Sequence, residues 1–153
     1  MFKNLLDGQP AKKYSKDTDE LFTELKTEKC VENFLSRNQD EIMLPLNEYL
    51  GKILSEKNLS KADVIKRSGL NREYAYHIFS GTRNPSQPKV LALALAMNLN
   101  LDETQRLLRH AQQSLLYPRK EWDAIIISAI EQKLSVMETN ELLHRLGEEI
   151  FLE

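Results

Sequence analysis

The chain has 153 residues, 41% hydrophobic and 29% charged, with a formal net charge of -2 at pH 7. That is the size and balance of one globular domain with or without a tail, able to bury roughly two thirds of its unfolded surface. The single cysteine, Cys30, excludes an intrachain disulfide, and the longest apolar run, Val90 to Met97, is far short of the ~20 residues that span a bilayer. The start MFKNLLDGQPAKK lacks the apolar core of a signal peptide, so the expectation is a soluble, cytoplasmic protein with no membrane attachment.

Residues 1–16 are polar, contain Gly8 and Pro10 and show no period, and read as a flexible arm. From Asp17 the pattern turns helical. Asp17 or Thr18 can cap, Asp19 and Glu20 suit the positive end of a helix dipole, and Leu21 and Leu25 stack at i and i+4. Val31, Phe34 and Leu35 form a second small apolar patch beyond Thr27-Glu28-Lys29, so residues 17–44 hold one bent helix or two short ones. Either has too little apolar surface to stand alone and needs a docking site.

Residues 45–116 read as five helices. Pro45 suits a first turn, and Leu46, Tyr49, Leu50, Ile53 and Leu54 follow at helical spacing. Ser60 caps a short helix with Val64 and Ile65 inward, which Gly69 stops in the left-handed conformation. Asn71 caps the next, with Ala75, Ile78 and Phe79 inward and Gly81 at its end; Arg72, Glu73, Tyr76 and His77 are left pointing out. Ser86 is expected to cap a fourth helix, apolar almost all round from Val90 to Met97 and therefore central. Asn100 with Glu103 forms a capping box for a fifth, carrying Leu107, Leu108, Ala111 and Leu115.

The remainder, 117–153, is expected to be a helical hairpin packed on this domain or forming a dimer interface. Pro118 starts a helix with Trp122, Ile125, Ile126, Ala129, Ile130 and Leu134; Trp122 reads as a core anchor. Ser135 and Glu138 make a second capping box before Leu142, Leu143 and Leu146, and Gly147 stops that helix ahead of Ile150-Phe151-Leu152.

Charge is unevenly spread. Residues 57–89 hold seven basic groups against Asp63 and Glu73, a net +5, whereas residues 90–153 hold six basic and ten acidic groups, a net -4. The basic stretch coincides with two short helical patterns joined by about three residues around Gly69-Leu70-Asn71, the connection of a DNA-reading helix-turn-helix. A basic segment is also the footprint of phosphate neutralisation. The outward side chains match base-reading chemistry. Arg72 can donate two hydrogen bonds to guanine, Glu73 can accept from cytosine N4, and Tyr76 and His77 lie one turn on, within reach of a neighbouring base. Ser60, Lys61, Asn71, Thr82, Arg83 and Asn84 are placed for phosphates.

Residues 59–101 resemble the phage-repressor, Cro and Xre class of helix-turn-helix domains, on Leu59-Ser60, Gly69-Leu70, Ile78, Gly81, Arg83-Asn84-Pro85-Ser86 and Leu99-Asn100-Leu101-Asp102. The resemblance implies an all-α, five-helix, lambda-repressor-like domain, here extended by the N-terminal helical segment and two C-terminal helices. More widely, Leu70 to Leu146 is similar to a group of bacterial Xre-like proteins of about this size with little assigned function; Leu116-Tyr117-Pro118-Arg119 and Asn140-Glu141-Leu142-Leu143 carry that likeness. Lys61 stands where the class often has a glutamine that bridges phosphate and recognition helix; an ammonium neutralises phosphate but accepts no hydrogen bond. Ile65 stands where an alanine is common, so the two helices are expected to cross further apart.

Catalysis and cofactors are not expected. His77, His110 and His144 lie far apart without metal-ligand spacing, and the five glycines stand singly rather than in a phosphate loop. The function expected is a sequence-specific DNA-binding transcriptional regulator reading the major groove with the helix Arg72 to Ser80. Its partner is double-stranded DNA, and it forms a homodimer through 119–152. The alternative is a protein-interaction adaptor on the same scaffold with weak or no DNA binding, for which the acidic C-terminal third and the N-terminal segment argue.

Overall fold

The computed structural model describes residues 14–151, and its architecture follows from one helix that has no polar side. In α6 (Gln87–Ala96) every residue from Val90 to Ala96 is buried, so the helix must be enclosed on all faces. Each fully buried leucine or valine on it is worth ~1.5–3 kcal/mol relative to exposure. The enclosing elements are α4 (Lys61–Ser68), α7 (Leu101–His110) and α9 (Val136–Arg145). Outside them α3 (Leu46–Glu56) spans α7 and α5 (Arg72–Ser80), and α8 (Glu121–Glu131) packs between α7 and α9. No strand occurs among the described residues, and the fold is all-α.

The inward stripes fall where the periodicity puts them. Leu46, Tyr49, Leu50, Ile53 and Leu54 of α3, Val64 and Ile65 of α4, and Ala75, Ile78 and Phe79 of α5 are all buried in one core with Leu107 and Leu108 of α7. The C-terminal helices share that core through Ile126, Ile130, Val136 and Leu143. The half-buried Trp122 donates its indole N–H to the Glu149 carbonyl at 2.7 Å and meets Phe151 edge-on, which folds the chain after Gly147 back over α8. Both capping boxes form, at Asn100 with Glu103 and at Ser135 with Glu138. The second carboxylate oxygen of the buried Glu103 lies 3.2 Å from the Lys57 ammonium, so α7's start is tied to α3's end.

Boundaries differ from the sequence reading at the end of the fifth helix and at the start of the next. The fifth helix stops at His110, because Gln112 adopts φ 58 and Gln113 donates back to the Leu108 carbonyl; Leu115 is exposed, and Leu116 is buried in its place. Gln105 holds that strap by pairing with both the N–H and the carbonyl of Leu116. Pro118 lies in a turn before α8 rather than in it: Lys120 donates to the Tyr117 carbonyl, Asp123 accepts the Tyr117 N–H, and the helix begins at Glu121. Ser86 stands at the N-cap of α6 as expected, though its side chain makes no cap bond, and Pro88 occupies the first turn.

The N-terminal segment forms two short helices, α1 (Thr18–Thr27) and α2 (Val31–Arg37), followed by a 3-10 turn at Gln39–Glu41. Asp17 is the cap. Of the proposed arm, residues 1–13 lie outside the described residues, as does Leu152. Its last two members are bonded to the hairpin: Ser15 and Lys16 to Glu41, with the Lys16 ammonium also 2.6 Å from Glu24 and from Asn38. Arg37 bridges Glu28 and Glu24, and the two glutamates are held below the usual carboxylate range by hydrogen bonds, from Lys16 at Glu24 and from Arg37 at Glu28. Burial contributes little. Phe34 is buried in α2, α1 buries no residue, and Phe22, Leu25, Val31 and Leu35 stay exposed.

Gly81 ends α5 at φ 90, and a Cβ there would also approach Asn47 Cγ to 2.9 Å. Gly81→Ala is therefore expected to destabilise the fold by at least ~1–2 kcal/mol, read as a lowered urea midpoint. The His110 ring stacks on Tyr49 at 3.7 Å between centroids, with Nδ1 3.0 Å from the Leu44 carbonyl oxygen. Burial lowers its pKa from 6.5; the Leu44 bond opposes this and Arg109 adds to it. The unfolded chain then binds the proton more readily, so stability is intact above pH 6.5 and is lost as pH falls through the folded value. The denaturation midpoint should drop over that range, and His110→Gln should flatten the slope.

Candidate nucleic-acid interface

Three residues connect α4 to α5, and each is fixed by chemistry that the sequence carries. Gly69 takes φ 74, a conformation that suits a residue with no Cβ. The buried Ser68 hydroxyl donates to the Ile65 carbonyl at 2.7 Å and accepts the Leu70 N–H at 3.2 Å, while the Leu70 side chain is buried. Asn71 accepts the Tyr74 N–H at 3.0 Å and so opens α5. The turn is thereby locked at both its ends and its middle.

With Ala75, Ile78 and Phe79 anchored in the core, α5 has one outward face. Arg72, Glu73, Tyr76, His77 and Ser80 are all exposed on it. The Arg72 guanidinium lies over the Tyr76 ring at 5.8 Å, a cation-π approach that holds the fork along the helix. His77 Nδ1 is 3.0 Å from the Thr82 hydroxyl oxygen, which also approaches Ser80 at 3.2 Å, and the N–H groups of Thr82 and Arg83 donate to the His77 carbonyl. The loop after α5 is therefore bonded to the face of α5.

The residues expected at phosphates are all exposed: Ser60 and Lys61 at the start of α4, Asn71 in the turn, and Thr82, Arg83 and Asn84 after α5. Ser60 and Asn71 both use a side-chain oxygen as a helix cap, toward Asp63 N–H at 3.3 Å and Tyr74 N–H at 3.0 Å. The Ser60 O–H and the Asn71 amide N–H groups remain donors. Side-chain hydrogen bonds or ion pairs of Arg83 and Asn84 are not formed among the described residues.

The residues that depart from the usual pattern are accommodated. Ile65 is buried in the α4–α5 packing, and the Lys61 ammonium sits 5.6 Å from the Phe79 ring centroid. One cation escaped assignment. Lys89, on α6, lies 4.4 Å from the Tyr74 ring in the first turn of α5, which brings a further positive charge to this edge. Its contribution to the +5 segment was legible, but its approach to α5 depends on how α6 docks. The histidines are scattered: His77 on this face, His110 stacked on Tyr49, and His144 exposed on α9.

A short helix crossing behind a second helix of nine residues, with a locked three-residue turn and a polar outward face, defines a helix-turn-helix. Residues 50–103, from the middle of α3 to the first turn of α7, match the family described as helix-turn-helix; that segment is a DNA-binding helix-turn-helix domain of the Xre and lambda-repressor-like class. The class is a binding module and not a catalytic one. No curated protein and no solved structure matches the chain. No described helix is long and apolar enough to cross a membrane.

Since Asn71 both closes the turn and starts α5, Asn71→Ala is expected to cost ~1 kcal/mol, the usual loss for an N-cap. Chemical denaturation followed by circular dichroism checks it, and Asn71→Ser, which keeps a capping oxygen, should recover most of the loss.

Proposed function

We propose that the chain is a sequence-specific transcriptional regulator that lays α5, Arg72 to Ser80, in the major groove of double-stranded DNA in the cytoplasm. The observation that carries this reading is the exposed row Arg72, Glu73, Tyr76 and His77 on a helix whose other side is locked in the core, within a segment of net charge +5. Arg72 forks onto a guanine edge, Glu73 accepts from cytosine N4, and Tyr76 and His77 read the next step. Ser60, Lys61, Asn71, Thr82, Arg83 and Asn84 hold phosphates on both flanks, fixing register while the α5 side chains discriminate. The His77–Thr82 pair links the two tasks.

The same reading makes the protein a homodimer through 119–152, so that two α5 helices meet two half-sites about one helical turn, ~34–36 Å, apart. A second reading, a protein-interaction adaptor with weak or no DNA binding, is favoured by the exposed apolar residues of α1 and α2.

Gel retardation over genomic fragments, beginning with the DNA upstream of the gene itself, separates the two. The regulator gives salt-sensitive retardation of a subset of fragments; retardation of none by the folded protein leaves the adaptor. Within a bound site, Arg72→Ala is expected to cost ~1–3 kcal/mol and relax specificity at one base pair, while Lys61→Ala weakens all sequences alike and lowers the salt slope by about one.

A further inference from the structure

Eleven large hydrophobic side chains are exposed among the described residues, and they are not scattered. Six lie between Phe22 and Met43, in α1, α2 and the linker to α3, and two more are Met137 on α9 and Leu146 at its C-cap. In α1, Phe22 and Leu25 are three residues apart and share a face, Phe22 is 55% exposed, and the helix buries nothing. Its polar residues make it acidic: Asp17, Asp19, Glu20 and Glu24 against Lys26, a net -3 for residues 17–27.

The counterpart surface is a groove of about 530 Å³ between the end of α4 and α9. Val136, Met137 and Ile150 give it an apolar lining, with Met137 73% exposed. Lys66, Arg67 and His144 line it too, and Glu141 is the acid among them. The chain's own α1 contributes no residue to the groove. Both α1 and α9 are ten residues, about 15 Å, long.

We infer that the α4–α9 groove is the seat for α1 of a second copy of this chain, Phe22 and Leu25 entering over Met137 while the acidic end of α1 meets Lys66 and Arg67. This rests on the proposed homodimer, keeps α9 from its 119–152 interface and adds α1 and the end of α4 to it. Two copies exchanging α1 about a two-fold axis form a closed dimer in which both apolar patches are covered, so the assembly stops at two. The contact adjoins Gly69, at the join between α4 and α5, so the assembly is built onto the helix that holds α5 in place.

Sedimentation equilibrium of the full chain over the micromolar range tests it. Wild type should show a monomer–dimer equilibrium. Phe22→Asp and Met137→Asp, both at exposed positions and checked as helical by circular dichroism, should each raise the dissociation constant roughly ten-fold or more. An equimolar mixture of the two variants should associate better than either alone, because one supplies an intact groove and the other an intact α1. A wild-type monomer throughout, a dimer indifferent to both substitutions, a mass growing beyond two copies, or a mixture no better than its components would each overturn the inference. Retention of labelled DNA by the same variants is read separately: dimers that retain no DNA count against the DNA reading and leave this contact standing.

Discussion

A helix with no polar face cannot lie on a surface, and α6 imposes that constraint on the rest of the chain. Enclosing Val90 to Ala96 requires partners on every side, and α4, α7 and α9 are drawn in by the area they remove from water. Once α4 is fixed against α6, the three-residue turn leaves α5 little freedom, and α3 closes it from behind. The pose of α5 is thus set by the apolar burial of the helices packed behind it. Polar contacts refine it: the Ser68 hydroxyl, the Asn71 cap and the Lys57–Glu103 pair fix angles that burial alone leaves loose.

The outer face of α5 is arranged by its own neighbours before any ligand arrives. Arg72 lies along Tyr76, and His77 is joined to Thr82, so much of the side-chain entropy of that face is already spent. The acidic hairpin at the other end is built differently. Its helices are held by Lys16, Arg37, Glu24 and Glu28 at the surface, where ion pairs contribute little, and its large apolar residues other than Phe34 remain outside. One chain therefore combines a core-stabilised reader with a helical pair whose stability comes mainly from polar bonds.

Much of this was legible in the residues because the signals were local. The alternation of Leu46, Tyr49, Leu50, Ile53 and Leu54, the capping boxes at Asn100 and Ser135, and the left-handed glycines at 69 and 81 act within a turn of helix, and all appear as read. The misses required distant partners. Leu115 looked helical because it continues a stripe, but Gln105 and the core select Leu116 instead. Pro118 looked like a helix start, but Asp123 binds the turn that contains it. At the candidate site, the outward side of α5 followed from its period. The Lys89 approach to Tyr74 and the bond between His77 and Thr82 did not, since both depend on how separate segments dock.

Four helices end on exposed residues other than glycine in the left-handed conformation: α3 at Asn58, α6 at Asn98, α7 at Gln112 and α8 at Lys133, with φ between 55 and 58. Each Cβ there opposes the backbone, by up to ~1–2 kcal/mol at Gln112 and Lys133 and less at the two asparagines. The fold tolerates four such terminations because the adjoining core more than outweighs them. The molecule therefore sits below the stability its topology permits, with slack at surface positions outside α5. Those ends are where the chain has room to gain or lose firmness without touching the outward face of α5.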